Sequence, residues 1–394
     1  MRRIACLIAF AVAIAFASPA TWITPDASAA VRTAAKKSQK KSGKHQSKKR
    51  SHRSVAPDTR NLAQPDDPKL PLEAAWKAQL NTFLGRERPE FSAFVALNPL
   101  SGRIMVLSER SSNPKKVSHP ATSAMFPAAS VFKMVTAAAL VEEAGVSPNA
   151  VMCYHGGQSR LTEDNIRDAP KRDKSCRSLS DAFAHSTNAV FAKMALKHLG
   201  AAPLFKWAER LGFNQAFQWE GLSAKSLFVK PVGSLAIGQT AAGFTNSNLA
   251  PLHAAMMAVV FASGGMVPAA FASWFPGSTP VEDSVRPDTV RVVTEATAAA
   301  LRSMMVAAAT QGTASKHLAS VTGGPAAVKT GTLSSRDGSG LLNTWMVGYY
   351  PATRPEFAFA AVVATRGSNL RAGHLTRFAL ESFVILRKAR APSS

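Results

Sequence analysis

Three short motifs follow one another along the chain, and their residue types suit acyl transfer to a serine. They are Ser130-Val131-Phe132-Lys133, Ser186-Thr187-Asn188 and Lys329-Thr330-Gly331-Thr332. Each motif alone is a weak signal, because S-x-x-K also occurs at 38–41 and 112–115. The local context separates the copies. Ser130 opens an apolar helical pattern, so Lys133 should lie one turn along on the same face, within reach of the serine oxygen.

Ser130 and Lys133 form a candidate nucleophile and base. A serine hydroxyl is a weak nucleophile at neutral pH and needs an adjacent base. A lysine can be that base when burial or a neighbouring cation depresses its pKa and leaves it partly neutral. In the second motif, the Ser186 hydroxyl can relay a proton to a leaving amine, and Asn188 can hold Lys133 and a substrate amide.

The third motif offers groups for a substrate carboxylate and for an oxyanion. Lys329 adds positive potential, which favours a neutral neighbouring lysine and attracts a carboxylate. Thr330 and Thr332 can hydrogen-bond that carboxylate, and Gly331 lets a ligand approach the strand backbone closely. The backbone N–H groups of Ser130 and Thr332 are the candidate oxyanion hole.

Apolar periodicity predicts strands at both ends of the domain and helices between them. Two apolar runs within 91–108 are separated by a turn containing Pro99 and Gly102, which predicts a hairpin. A helix is predicted over 128–144, between Pro127 and Gly145. Further helical patterns occupy 179–185, 189–199, 203–211, 249–261 and 294–309, and a final amphipathic segment occupies 375–387. Strand-like runs occupy 326–332, 344–350 and 356–364.

This order of elements predicts an α/β (α+β) fold. One antiparallel sheet is expected from the N- and C-terminal segments, covered by helices, with a large all-α insertion between them. Ser130 opens the helix over 128–144, and Lys329 lies in the strand-like run over 326–332. The fold therefore has to bring these two elements together.

The first 75 residues predict export and a linker. Arg2 and Arg3 precede an apolar run of 14 residues, and Ala27-Ser28-Ala29 offers a cleavage site, as in a secretory signal peptide. The run is short for a membrane span of about 20 residues, although an uncleaved anchor stays open. We therefore expect a signal peptide or short anchor over 1–29, a basic disordered linker over 30–75 and one folded domain over 76–394. The expected location is the periplasm or cell envelope.

The positive charge is concentrated in the linker. The chain has 47 Lys and Arg against 24 Asp and Glu, and residues 31–60 supply +10 of the net +23. Such a segment can lie against anionic envelope polymers or lipid headgroups, or it can be a solvated tether. Nucleic acid is disfavoured as a partner because the chain is predicted to be exported. A hydrophobic fraction of 46% with 18% charged residues excludes wholesale disorder.

Removal of the signal peptide would leave two of the three cysteines, Cys153 and Cys176. An even pair in an exported protein permits a disulfide, and two buried free thiols are the alternative. The nine histidines show no ligand spacing with acids or cysteines, and no phosphate-cradling glycine loop follows a strand. We therefore expect neither a metal nor a cofactor.

The three motifs together resemble the signature set of the penicillin-binding transpeptidases: S-x-x-K, a serine motif with Asn, and K-T-G. The likeness covers roughly residues 90–388. FVALNPLSGRIMVLS is similar to the opening hairpin of that family, GSLAIGQ at 233–239 to its Gly-Gln segment, QGTASK at 311–316 to its G-T-A turn and NTWMVGYYP at 343–351 to a later strand. Cys153 and Cys176 also resemble a cysteine pair of some members.

The resemblance implies a reaction and its partners. Ser130 would attack the D-Ala–D-Ala bond of a peptidoglycan stem peptide, the last D-Ala would leave, and the acyl group would pass to an amine on a neighbouring strand. β-Lactams would bind at the same serine. Residues 31–75 are too short and too polar for a glycosyltransferase domain, so any glycan polymerase is expected to be a separate protein.

Three alternatives stay open: a D,D-carboxypeptidase, a serine β-lactamase, and a non-catalytic penicillin-binding sensor or cell-wall-binding module. A β-lactamase needs a base for water, and Glu220 lies 34 residues after Ser186. The sequence around Glu220 lacks an acid-loop pattern. Asn188 argues against the lysine-carboxylating type of β-lactamase, which would prefer an aliphatic residue there.

Overall fold

The computed structural model of the protein describes residues 71–282 and 288–390. The signal peptide or anchor predicted over 1–29 and nearly all of the linker predicted over 30–75 lie outside these residues. Among these residues the first helix begins at Leu72, a few residues before the predicted domain boundary at 76.

Eleven α-helices occur in the described part of the chain. They are α1 (Leu72–Glu87), α2 (Lys133–Ala138), α3 (Glu163–Ile166), α4 (Leu179–Ala184), α5 (Asn188–His198), α6 (Ala201–Arg210), α7 (Ser234–Ala242), α8 (Pro251–Ala262), α9 (Glu295–Thr310), α10 (Ser315–Leu318) and α11 (Ala372–Ala389). None of the helices in this part combines the length and the apolar character needed to cross a membrane.

The strands of the described residues are mostly short. They are β1 (Phe91–Leu97), β2 (Ile104–Ser111), β3 (Phe126–Pro127), β4 (Val151–Tyr154), β5 (Ser175–Ser178), β6 (Ala216–Trp219), β7 (Leu222–Lys225), β8 (Leu227–Phe228), β9 (Ser247–Leu249), β10 (Met266–Pro268), β11 (Thr279–Val281), β12 (Thr289–Arg291), β13 (Ala327–Ser334), β14 (Leu342–Tyr350) and β15 (Phe357–Thr365).

A five-stranded antiparallel sheet organises the domain. Its strand order is β13, β14, β15, β1 and β2, and its register pairs Val95 with Ala360 and Lys329 with Val347. Segments from both ends of the domain therefore share one sheet, which confirms the predicted fold. β13 lies at the edge of the sheet, so about half of its backbone N–H and C=O groups point away from β14.

Both faces of the sheet are buried. Every residue of β1 is buried, and alternate side chains enter two different cores because successive residues of a strand point to opposite faces. Phe94 joins a core with α1 and α11, whereas Val95 joins one with α8. The indole Nε1 of Trp76 in α1 donates to the Ala379 carbonyl in α11 at 2.9 Å. This hydrogen bond joins the two helices that cover one face of the sheet.

The chain between β2 and β13 is mostly helical, as predicted, but it also contains short strands. The hairpins β4–β5 and β6–β7 were not predicted, because these strands are largely exposed or half-buried and lack an apolar alternation. Helix α7 was also not predicted. Glycines at both of its ends and within it make the sequence resemble a loop.

Candidate active site

Ser130 lies at the start of a helical segment that changes its geometry along its length. A 3₁₀ turn over Ala129–Phe132 leads into α2, which is followed by a π-helical turn over Ala139–Glu143. The helix predicted over 128–144 is therefore continuous but irregular. Ala129 has φ 50°, a left-handed conformation that costs energy in a residue with a side chain. Strain of this kind, immediately before a reactive residue, is typical of a functional turn.

Lys133 is completely buried and makes three close polar contacts. Its Nζ lies 2.8 Å from Ser130 Oγ, 2.7 Å from Asn188 Oδ1 and 2.7 Å from the Ala242 carbonyl oxygen. The lysine ammonium has three N–H donors, so the neutral amine, with one proton fewer, has two donors and one lone pair. The amide and carbonyl oxygens can only accept, so they take the two donors, and the lone pair is left for the Ser130 hydroxyl.

Two effects lower the pKa of Lys133 well below its ordinary value. The first is burial, and the second is the charge of Lys329. Both disfavour the ammonium form. At neutral pH the amine is therefore suited to accept a proton from the Ser130 hydroxyl.

The second motif lies between two helices. Ser186 follows α4 and has φ 57°, and Asn188 is the first residue of α5. The two ends of the Asn188 amide have different partners: Oδ1 accepts from Lys133, and Nδ2 donates to the Gln158 carbonyl. The amide is thus held between the lysine and a distant loop.

Lys329 lies in the edge strand β13 and is also completely buried. Its Nζ donates to Ser186 Oγ at 3.1 Å and to the Thr330 carbonyl at 3.0 Å, and it lies 5.4 Å from the centre of the Phe183 ring. Burial lowers the pKa of Lys329 to about 7. The second hydroxyl of the site is therefore in contact with an amine that exchanges protons near neutral pH.

Two glycines allow the motifs to approach the Ser130 turn. A Cβ at Gly243, where φ is +89°, would lie 1.9 Å from the Ala129 carbonyl oxygen. A Cβ at Gly331 would lie 3.2 Å from the Ala129 Cβ. The end of α7 and the strand β13 therefore press against this turn from two sides, at distances that only glycine permits without a shift.

The catalytic cavity, as we name it here, has a volume of about 550 Å³. Six residues predicted for the site line it: Ser130, Ser186, Asn188, Thr330, Gly331 and Thr332. The buried amines of Lys133 and Lys329 contact its serines from the protein side. The structure thus brings every predicted catalytic and substrate-binding residue to one cavity. For the oxyanion hole, Ser130 and Thr332 both line the cavity, and Thr332 belongs to the edge strand β13.

Sequence reasoning missed three groups of the site. The Ala242 carbonyl and the Gln158 carbonyl have no side-chain signature, so no sequence signal could have found them. Thr313 was present in the G-T-A segment. Its Oγ1 lies 2.5 Å from Thr330 Oγ1, and it lines the cavity.

Glu220 does not lie at the cavity. Its carboxylate accepts from the backbone N–H of Ile104, with both oxygens at 3.3 Å, and it is not among the cavity residues. The candidate base for a β-lactamase is thus placed at the β1–β2 turn.

The two cysteines lie outside the catalytic cavity. Cys153 of β4 and Cys176 of β5 are joined by a disulfide and are 23 positions apart. The described residues contain no group of three or more His, Cys, Asp or Glu that could hold a metal ion.

Comparison with known families identifies the domain. The model of the penicillin binding protein transpeptidase domain matches residues 92–378, and the chain belongs to this family. The resemblance seen in the three motifs is therefore confirmed.

The chain is similar to two mycobacterial proteins named peptidoglycan D,D-transpeptidase PbpA. It is 27% identical over 336 residues to that of Mycolicibacterium smegmatis, a match that covers 76% of this chain and 66% of the relative. It is 27% identical over 340 residues to that of Mycobacterium tuberculosis H37Rv, with the same coverage. The match thus spans slightly less than two thirds of the length of these relatives.

Solved structures share the fold. PBPA from Mycobacterium tuberculosis matches with a TM-score of 0.56 and 24% identity, over 75% of this chain and 74% of that one. The transpeptidase domain of penicillin-binding protein 3 from Burkholderia pseudomallei matches with a TM-score of 0.62 and 17% identity, over 82% and 94%.

Proposed function

We propose that this protein is a peptidoglycan D,D-transpeptidase that forms an acyl-enzyme at Ser130. The observation that carries the proposal is the environment of Lys133: a buried amine of lowered pKa, 2.8 Å from a serine hydroxyl that lines an open cavity. Family membership and the names of the mycobacterial relatives support the same activity.

In the acylation step, the neutral Lys133 takes the proton of Ser130. The Ser130 oxygen then attacks the carbonyl carbon of the D-Ala–D-Ala peptide bond and forms a tetrahedral oxyanion. Backbone N–H groups of Ser130 and Thr332 would stabilise that charge, and the threonines of β13 would hold the terminal carboxylate.

Collapse of the intermediate breaks the C–N bond. The leaving nitrogen takes a proton from the Ser186 hydroxyl, which is restored from Lys329 at 3.1 Å. D-Ala departs, and the donor peptide remains as an ester on Ser130. An acceptor amine then attacks this ester and gives up a proton through Ser186 to Lys329, which is neutral after the first half of the reaction. The ester C–O bond breaks as the cross-link forms, and the Ser130 oxygen takes back its proton from Lys133.

The placement of Glu220 favours a transpeptidase over a serine β-lactamase. Rapid hydrolysis of the ester requires a base aimed at a water molecule, and the carboxylate of Glu220 is directed at the β1–β2 turn instead. We therefore expect a slow reaction of the acyl-enzyme with water. The alternative of a non-catalytic binder is disfavoured because the groups needed for acylation converge on one cavity.

The location and partners follow from the substrate. The protein would act in the cell envelope, exported by a signal peptide or held by a short anchor within residues 1–29. Its basic residues before the domain would contact anionic envelope polymers or lipid. A separate polymerase would supply the glycan strands.

A time course with a stem-peptide mimic tests the reaction. Purified protein is incubated with a peptide ending in D-Ala-D-Ala, with and without an acceptor amine, and the products are identified by mass. We expect an amide-linked product when the amine is present, and S130A should form none. Release of D-Ala without any linked product would instead show a D,D-carboxypeptidase, and no release with wild-type protein would overturn the proposed function.

A further inference from the structure

A cluster of charged side chains lies outside the catalytic cavity and is not used by the proposed mechanism. It belongs to residues 155–174, which connect β4 to β5, and to one side chain of α5. We call residues 155–174 the hairpin loop, because the disulfide-linked strands β4 and β5 close its two ends. The cluster members are His155, Asp164, Asp168, Arg172, Asp173 and Lys193.

Asp173 and Lys193 form the buried centre of this cluster. Their side chains are 6% and 2% exposed, and Lys193 Nζ lies 2.7 Å from the Asp173 carboxylate. The carboxylate also contacts His155 Nδ1 at 2.6 Å and accepts from the Ala169 N–H at 2.8 Å. Burial opposes the ionisation of Asp173, but the hydrogen bonds from His155 and Lys193 outweigh it and hold the pKa of Asp173 below its usual range.

This ion pair joins the hairpin loop to the helix that begins with Asn188. Lys193 is five residues after Asn188 in α5. At the start of the same helix, the loop lies close enough that a Cβ at Gly157 would be 2.8 Å from the Ala189 Cβ. The loop is therefore attached to α5 both near Asn188 and more than one turn further along.

The hairpin loop decides how the Asn188 amide is oriented. The Gln158 carbonyl can only accept, so Asn188 Nδ2 must point to the loop. The Asn188 oxygen is then directed at Lys133, where it accepts at 2.7 Å. The opposite orientation would place an NH₂ group against the lysine amine and would remove one of the two acceptors that leave its lone pair for Ser130.

We propose that Asp173 is a positioning residue for acylation, which acts by holding the hairpin loop and its Gln158 carbonyl against Asn188. The inference rests on the proposed function, since it concerns how fast Ser130 is acylated. It goes beyond the three motifs, because it assigns a role to a residue between the first two that contacts neither substrate nor nucleophile.

The experiment replaces each of the two aspartates that pair with Lys193 by the neutral residue asparagine. D173N removes the buried carboxylate, whereas D168N removes a partner of Lys193 that is 3.0 Å away but 76% exposed. Acylation by a labelled penicillin is measured on the folded variants. We expect about a tenfold loss of rate for D173N, because a misplaced supporting group commonly costs one to two orders of magnitude. We expect less than about a twofold change for D168N, because exposed ion pairs contribute little.

A double-mutant cycle with N188A separates positioning from a general structural effect. If Asp173 acts through Asn188, D173N should change the rate of the N188A protein by less than about twofold. The same tenfold loss in both backgrounds would overturn the proposal, as would a D173N protein that is acylated at the wild-type rate.

Two further results keep the test decisive. If D173N alone does not fold, D173N with K193M removes both charges of the buried pair and is compared in the same cycle, with the same expected loss. Failure of wild-type protein to be labelled at all would overturn the proposed function and this inference together. Normal labelling of wild type with an unaffected D173N would overturn the inference alone.

Discussion

Substitution of Gly243 by alanine should damage the site although Gly243 is neither polar nor part of a motif. The new Cβ would start 1.9 Å from the Ala129 carbonyl oxygen, whereas real Cβ contacts are essentially never under 3.0 Å. The end of α7 and the Ser130 turn must therefore separate by at least about 1.1 Å, the difference between these distances. That movement displaces Ser130 relative to Lys133 and takes the Ala242 carbonyl away from the lysine.

The expected loss can be put in numbers. A misplacement of about 1 Å in an active site can cost about 100-fold in rate, or about 2.7 kcal/mol of transition-state stabilisation. The positive φ adds about 1 kcal/mol of backbone strain to the folded state. We therefore expect G243A to be acylated by a labelled penicillin about 100-fold more slowly, and to lose more than about 1 kcal/mol of the free energy of unfolding.

G145A is the matched control for this prediction. Gly145 also has a positive φ, +62°, but no atom beyond its two chain neighbours lies within 4 Å of the Cβ position. Because of the backbone strain, G145A should have a lower free energy of unfolding in urea denaturation, but it should retain the wild-type acylation rate. A G243A protein that is acylated within about threefold of wild type and is as stable as G145A would refute the reasoning.

Three further outcomes are expected. K133A should be acylated at least about 1,000-fold more slowly than wild type, because the amine that lies 2.8 Å from the Ser130 hydroxyl is lost. A rate within about threefold in the penicillin-labelling assay would show that another group takes the proton. The acylation rate should rise with pH as Lys133 loses its proton, and it should fall above about pH 7 as Lys329 becomes neutral. K329R keeps its charge and should not show that fall below about pH 9. If the rate of K329R falls at the same pH as that of wild type, Lys329 is not the cause of the fall. Replacement of Cys153 and Cys176 by serine should lower the free energy of unfolding by up to about 3 kcal/mol. The disulfide joins residues 23 positions apart and so restricts the conformational entropy of the unfolded chain. Free thiols at both positions in non-reduced, denatured wild-type protein would contradict this.

The sequence was most informative where the chemistry requires particular side chains. The residue types at Ser130, Lys133, Asn188 and Lys329 predicted a serine site with a neutral amine, because few other arrangements need those types in that order. The sheet was also predictable, since its long apolar strands such as β14 and β15 are buried on both faces.

Other parts of the site left no trace in the sequence. The carbonyls of Ala242 and Gln158 are backbone groups, and every residue has one, so only the tertiary fold shows which of them meet Lys133 and Asn188. The requirement for glycine at 243 likewise arises from the approach of two distant segments. Glu220 had a suggestive spacing, but spacing along the chain did not predict its position at the β1–β2 turn.

The pairing of β1 with β15 has a consequence for how the protein is made. Phe91 at the start of β1 pairs with Ala364 near the end of β15, so the sheet cannot close until nearly the whole domain has left the ribosome. Contacts of such long range close slowly, because the intervening chain must lose its freedom first. In that interval β1 has an unpaired edge, which other chains can pair with and proteases can reach. Ser130 and Lys133 are synthesised early, yet β13 and Lys329 come late, so a partly synthesised chain has the proposed nucleophile but not the completed cavity.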